Sequence, residues 1–381
     1  MNPNGNPHLI KKIRDEIEKN GPVTFARFME SALYDPEFGY YTAHADRIGL
    51  GGDFYTSPDV SPLFGRLLAK QLLQMSGAFP NGEIFTILEL GAGKGLLCRD
   101  ILEGLKKTGP DSLGRFRYLV LERSPVMIEN QKKVLAASGL EEKVRWISDI
   151  REAAPLRGCI FSNELFDALP VHRVIQCDQG LRELRVDWKE GRFIEAEGGL
   201  SHPSLEAYFK DLDISLPADF RADLSLEGPD FIKEAGDVLE SGYVLTVDYG
   251  HPAAELFSGS RRKGTLLCYY RHTANDDPYS RVGEQDITAH VDFTALARAG
   301  RESGLEVTGF TNQLNFLMGL GIAEEMEGID PEAPEVQSVK RLLARESMGG
   351  VFKVLIQHKG IKFKGLSGLA FRPFFREALG V

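Results

Sequence analysis

The pattern of apolar and polar positions changes character near residue 84. Before it the apolar residues recur at helical spacing, and after it short apolar runs alternate with amphipathic ones. Leu9, Ile10, Ile13 and Ile17 predict an amphipathic helix over 9–19, ended by Gly21 and Pro22. Thr24 is placed to cap a second helix over 25–33. The aromatic stretch 34–41, with Pro36 and Gly39, predicts an ordered loop, and a second loop covers 49–58 before a helix over 61–75. From there the order is strand 85–90, helix 96–105, strand 118–121, helix 126–137, strand 144–147 and strand 158–162. Such βαβ succession predicts a parallel sheet with helices on both faces and right-handed crossovers. The expected class is therefore an α/β, Rossmann-like fold.

The alternation breaks over 171–230. Residues 171–186 and 192–194 predict antiparallel strands about the Glu190–Gly191 turn, followed by a mixed stretch over 211–229. Strand-helix order resumes with strand 243–247, helix 293–303, strand 305–310 and a closing antiparallel strand over 351–357. The expected organisation is N-terminal helices and a loop over 1–79 and a Rossmann-like core over 80–170 and 240–360. An inserted region occupies 171–239, and 361–381 form a tail.

Composition narrows the class. With 45 basic against 55 acidic residues the net charge is -10, which argues against non-specific nucleic-acid binding. The four cysteines, Cys98, Cys159, Cys177 and Cys268, form no C-x-x-C pair, so neither a zinc site nor a disulfide scaffold is expected. No H-x-x-x-H pair occurs, and no metal is predicted. No apolar run reaches the ~18 residues of a membrane span. No secretory or transit pattern opens the chain. A bacterial cytoplasmic location is the expectation.

Candidate chemistry begins at Glu89-Leu90-Gly91-Ala92-Gly93-Lys94-Gly95, where an apolar strand runs through a glycine turn into a helix. Glycine allows positive φ and close approach of backbone to ligand, and the helix start offers free N–H groups. A dinucleotide site needs G-x-G-x-x-G, but here the third glycine comes one position early and Leu96 holds the expected slot. S-adenosylmethionine (SAM) carries no phosphate and has a cationic amino group, which suits the preceding acid, Glu89. Glu122, ending the second strand, is placed to accept ribose hydroxyls, although it also reads as a surface acid opening the next helix. Asp149 and Ile150, after the third strand, are placed for an adenine ring, with turn capping by Asp149 as the alternative. Ser162-Asn163-Glu164-Leu165-Phe166-Asp167 clusters two acids and an amide at the end of the fourth strand. Carboxylates there would suit a guanidinium acceptor, while Asn163 and Asp167 would otherwise cap a following helix.

The chain resembles the MidA-like methyltransferases, whose mitochondrial members are complex I assembly factors that methylate arginine. The likeness is carried by Tyr34-Asp35-Pro36-Glu37-Phe38-Gly39-Tyr40-Tyr41, by Gly52-Asp53-Phe54-Tyr55-Thr56-Ser57-Pro58 with Phe64-Gly65, and by the glycine turn. It continues through residues 162–170, Asp248-Tyr249-Gly250 and Gln285-Asp286-Ile287-Thr288-Ala289-His290. The resemblance implies a class I SAM-methyltransferase fold with a mostly parallel seven-stranded sheet and an inserted substrate region. It implies that Thr56, Ser57 and Pro58 help close over SAM, with S-adenosyl-L-homocysteine (SAH) as product. It makes Asp248, Asp286 and His290, beside Asn163, Glu164 and Asp167, candidates for the acceptor pocket. Asp286 and His290 are four apart, so a helical turn would bring them together, with an ordinary hydrogen-bonded histidine as the alternative. The expected partner is a protein acceptor, a respiratory complex I-type subunit or its bacterial counterpart. A non-catalytic assembly factor and a small-molecule methyltransferase are the competing readings. The apolar stretch 370–375 is a candidate homodimer interface, with core packing as its plainer role.

Overall fold

The computed structural model describes residues 5–43, 57–107, 112–330, 332–362, 365–372 and 376–380. The chain forms two compact units, one of Met1–Phe54, Phe166–Pro229 and Gly250–Asp292, the other of Tyr55–Leu165, Asp230–Tyr249 and Phe293–Val381.

The second unit holds the expected sheet. Its strands are β1 (Phe85–Leu90), β2 (Phe116–Leu121), β3 (Val144–Ile147), β4 (Leu156–Asn163), β5 (Leu239–His251), β6 (Glu306–Asn312) and β7 (Phe352–Lys359). They lie in the order β6-β7-β5-β4-β1-β2-β3. The four pairings from β5 to β3 are parallel, and β7 runs antiparallel between β5 and β6. All six residues of β1 are buried, Thr86 and Glu89 included, as a strand covered on both faces requires. Phe85, Ile87, Tyr118, Val120, Cys159, Phe161 and Leu245 form one face of the core. The chain leaves β3 at one edge and re-enters at β4 beside β1. The strand order therefore reverses between β1 and β4, the position at which open α/β sheets present their ligand crevice.

The division of the chain differs from the expected one. Helix Pro62–Ser76, expected with the N-terminal segment, belongs to the core of this sheet through Leu63, Phe64, Leu67, Leu68 and Leu72. It packs on helix Leu96–Lys107 at very short range. A Cβ on Gly65 would lie 2.5 Å from the Asp100 Cβ, and one on Gly104 would lie 2.7 Å from the Ala69 Cβ. Residues 250–292, expected in the core, instead join the N-terminal helices and the insertion. Hydrophobic periodicity reports that a segment has an apolar face but not which segment covers it.

The other unit contains helices Pro7–Asn20 and Phe25–Tyr34, whose Leu9, Ile13, Phe25, Phe28 and Met29 pack with Val186, Phe193, Val282 and Ile287. Thr24 caps the second helix as expected, accepting from the Arg27 N–H at 3.1 Å. Its five-stranded sheet pairs His172–Cys177, Gly180–Lys189, Arg192–Gly198 and Arg221–Leu224 antiparallel, with Val23–Thr24 at the edge. The Glu190–Gly191 turn is present, with φ of 51° and 77° at its two residues. A three-stranded sheet is built from Leu267–Tyr270, Thr273–Asn275 and Asp286–Thr288. The stretch expected as one loop over 34–41 ends in a short helix, Tyr40–Ala43. In the tail, Phe371 is exposed and the Arg372 carbonyl accepts from Asn315 Nδ2 at 2.9 Å, while Pro373, Phe374 and Phe375 lie outside the described residues.

Because the two helices touch where Gly65 faces Asp100, Gly65→Leu is expected to push them apart and destabilise the protein by about 2–4 kcal/mol, a typical to severe overpacking cost. Urea unfolding checks this; an unchanged midpoint would show that the contact carries no packing constraint.

Candidate active site

The site begins where β1 stops. Gly91, Gly93 and Gly95 all have positive φ, at 66°, 51° and 80°. The Gly91 N–H donates to the Leu121 carbonyl at 3.1 Å, and the Gly95 N–H donates to Ala92 O at 2.8 Å, closing the bend before helix Leu96–Lys107. The two later glycines serve different needs. A Cβ on Gly93 would meet nothing within 4 Å, whereas one on Gly95 would stand 3.2 Å from the Gln131 Cα and Cγ. Gly93 thus leaves an open cradle, and Gly95 admits the next helix. The Ala92 side chain is turned into the core.

Glu122 follows β2, and its N–H donates to Ile147 O at 3.1 Å. One carboxylate oxygen accepts from the Arg123 and Ser124 N–H groups, both at 2.9 Å, and the other accepts from Gln131 Nε2 at 3.1 Å. The helix cap is Ser124, so Glu122 is not the surface acid opening that helix. Burial raises its pKa against these stabilising donors. Asp149 takes the capping role that was its alternative: it caps the short helix Ile150–Ala153 in a reciprocal box with Glu152. Arg151 grips it and is the main reason its pKa is lowered to about 2. Ile150 is buried, so only its backbone is available beside the turn.

The ends of β4 and β5 meet alongside. Leu90 is the register partner of Ser162, and Asn163 that of Val247, so Gly91 adjoins Asn163 and Asp248 adjoins Glu164. No helix follows β4, so Asn163 and Asp167 cap nothing there; the chain instead turns sharply at Glu164, whose φ is 53°. A non-glycine residue in the left-handed region is uncommon and is held by its surroundings. Here the Glu164 N–H donates to Val247 O at 3.0 Å. Its Oε1 accepts from Ser57 N–H and Asn163 Nδ2, both at 3.0 Å. Asp248 is fully buried; its oxygens accept from the Leu165 N–H at 3.1 Å and the Tyr249 N–H at 2.9 Å. Asn163 Oδ1 and Ser162 Oγ, both buried, have no hydrogen-bond partner among the described residues. Ser57 is itself anchored by its hydroxyl to Gln313 Oε1 at 3.1 Å, and Gln313 Nε2 donates to Leu342 O at 3.2 Å. Pro58 is buried in the turn that follows, and Thr56 lies outside the described residues.

Glu89 is placed differently from the expectation. It faces inward from β1, 2% exposed, and accepts from the Tyr118 hydroxyl at 2.7 Å. Burial raises its pKa to about 7. An alternating strand that puts Leu88 and Leu90 on one face must put Glu89 on the other.

Asp167, Asp286 and His290 belong to the other unit. Asp286 and His290 do not share a helical turn. Asp286–Thr288 is a strand paired with Leu267–Tyr270, and an extended chain carries His290 away from Asp286. Asp286 is buried and accepts from the Tyr41 hydroxyl at 2.7 Å. Tyr41 stacks on Tyr34, whose hydroxyl donates to Ala168 O at 3.0 Å. The Asp167 carbonyl accepts from the Ala289 N–H at 2.9 Å. His290 packs its ring 5.3 Å from that of His251. Among the described residues no group of three His, Cys, Asp or Glu is placed to hold a metal ion, and no helix is long and apolar enough to cross a membrane.

Neither Gln131 nor Gln313 was a candidate from sequence. A buried glutamine inside an amphipathic helix or at a helix start has no local signature, and only the partners around its amide reveal its place.

A positive-φ glycine cradle beside a half-buried acid, with unsatisfied acceptors at the adjoining strand end, fits a Rossmann-like, SAM-dependent methyltransferase. Comparison agrees. Residues 67–311 match the family described as "Putative S-adenosyl-L-methionine-dependent methyltransferase". A crystal structure of a COG1565 superfamily member from Burkholderia thailandensis, bound to S-adenosyl-homocysteine, superposes with a TM-score of 0.87 at 31% identity, covering 97% of this chain and 96% of that one. The mitochondrial protein arginine methyltransferase NDUFAF7 of Rattus norvegicus is 27% identical over 88% of this chain and 79% of its own length. The Drosophila melanogaster homolog is 27% identical over 94% and 86%. The chain belongs to this family and is a MidA-like methyltransferase whose cofactor is SAM.

Glu89 titrates near 4.5 when unfolded and near 7 when folded. Between these values the folded state holds a proton that the unfolded chain has released, so stability falls as pH rises and the loss is complete above pH 7. Glu89→Gln is therefore expected to match the wild type near pH 4 and to exceed it by roughly 3 kcal/mol at pH 8. Urea unfolding at the two pH values checks this, and an equal difference at both would refute it.

Proposed function

We propose that this protein transfers a methyl group from SAM to an arginine of a protein acceptor. The reading is supported by relatives that carry that activity in their names at 27% identity. The observation that carries it is Glu164, a carboxylate held in strained backbone at the end of β4, with its Oε1 fixed by two donors. Asp248, buried in β5 one residue beyond its pairing with β4, adjoins it.

When bound, SAM supplies a methyl on a sulfonium, which a nucleophile displaces in line to leave SAH. The protein's part is to place that nucleophile and tune its charge. The glycine turn offers open backbone at Gly93, Glu122 offers lone pairs to ribose hydroxyls, and Asn163 Oδ1 is an unsatisfied acceptor for a cationic amino group. Glu164 would pair with the guanidinium, concentrate electron density on the attacking nitrogen and take up the proton that nitrogen releases. Ser57, through its N–H, and Gln313, through Ser57, hold that carboxylate in place.

The test is incubation of the protein with methyl-labelled SAM and a cell lysate, followed by mass spectrometry of labelled proteins. Methylarginine in a protein is the expected product. Glu164→Gln should lower transfer by about a hundredfold or more, as loss of a charge-stabilising group does, while SAH affinity stays within about threefold. Label confined to small molecules, or full transfer by Glu164→Gln, would overturn the proposal.

A further inference from the structure

We propose that Gln131, on helix Pro125–Ala137, is a positioning residue that locks the glycine turn to the ribose acid and so sets the cofactor affinity. This deepens the cofactor site and rests on SAM being the cofactor, not on what the acceptor is. Gln131 is 1% exposed. Its amide has two N–H groups and one carbonyl oxygen, and all are engaged. Nε2 donates to the Gly93 carbonyl at 2.9 Å and to Glu122 Oε2 at 3.1 Å, and Oε1 accepts from Trp146 Nε1 at 2.7 Å. One side chain therefore joins the ends of β1, β2 and β3.

The glycine spacing gains an explanation. Gly95, the glycine that comes one position early for a dinucleotide motif, is where the helix carrying Gln131 comes closest, with a Cβ there only 3.2–3.3 Å from Gln131 Cα, Cγ and Cβ. Any side chain at 95 would displace the helix and draw the amide away from Gly93 and Glu122. Because Gly93 is otherwise unsupported on its open side, the hydrogen bond to its carbonyl is what orients that peptide. Because Glu122 accepts from Gln131, its second oxygen is fixed rather than free to rotate. Removing the amide leaves the half-buried Gly93 carbonyl and the half-buried Glu122 carboxylate each short of a donor.

The experiment measures SAH binding by titration calorimetry and thermal unfolding without SAH, for wild type, Gln131→Met, Glu122→Gln, the double variant and Trp146→Phe. Gln131→Met is expected to weaken SAH binding by about tenfold or more. In the Glu122→Gln background, where an amide already faces Nε2, the same change should cost less than about threefold, since the two residues act as a unit. Trp146→Phe, which removes only the outer hydrogen bond, should weaken binding by about two- to fivefold and serves if Gln131→Met does not fold. A lowered melting temperature with unchanged SAH affinity, or fully additive effects of Gln131→Met and Glu122→Gln, would overturn the proposal by reducing Gln131 to core packing. Absence of SAH binding by the wild type would instead undo the cofactor assignment and leave the hydrogen-bond geometry without a role in it.

Discussion

Everything at this site depends on parallel pairing of β1 with β4. That register places Leu90 opposite Ser162, and the further pairing of β4 with β5 places Asn163 opposite Val247. The glycine turn, the Asn163–Glu164 corner and Asp248 then meet at the carboxyl ends of the central strands although they lie far apart in sequence. Parallel strands need long crossovers, so the chain between β1 and β4 has to build the rest of the crevice wall as it goes. Glu122 and the Asp149–Ile150 corner are by-products of those crossovers.

The acids of this edge are treated in contrasting ways. Glu122, Glu164 and Asp248 each accept from backbone N–H groups, and burial still raises the pKa of Glu122. Glu89 has a single phenolic donor and a fully buried setting, and its pKa rises accordingly. Position along the chain places Glu89 next to the glycine turn, but the strand's alternation sends its carboxyl into the core against the Tyr118 hydroxyl. Proximity in sequence and orientation in space are separate facts in a β-strand.

Much of the methyltransferase sheet was legible beforehand because β1, β2 and β4 are short, mostly apolar segments ended by glycine, acid or asparagine. The N-cap at Thr24 and the Glu190–Gly191 turn were legible for the same kind of reason, a local rule acting within a few residues. Asp286 and His290 show the limit of that approach. Spacing of four implies a shared face only if the backbone is helical, and pairing with Leu267–Tyr270 made it extended. Asp167 was weighed as a helix cap, but no helix follows β4. The segment 250–292 has the apolar content of a core element and is one, though of the other unit.

From the sequence alone came the α/β class, the glycine turn, the acids that follow the strands and the family likeness, since each is written in contiguous residues or fixed spacings. Tertiary structure alone decided that Glu89 turns inward, that Glu164 occupies left-handed backbone, and that Gln131 and Gln313 brace the two halves of the site. A side chain's role depends on which donors and acceptors surround it, and those arrive from strands and helices tens to hundreds of residues away. Local propensity cannot encode such partners; close packing of the folded chain selects them.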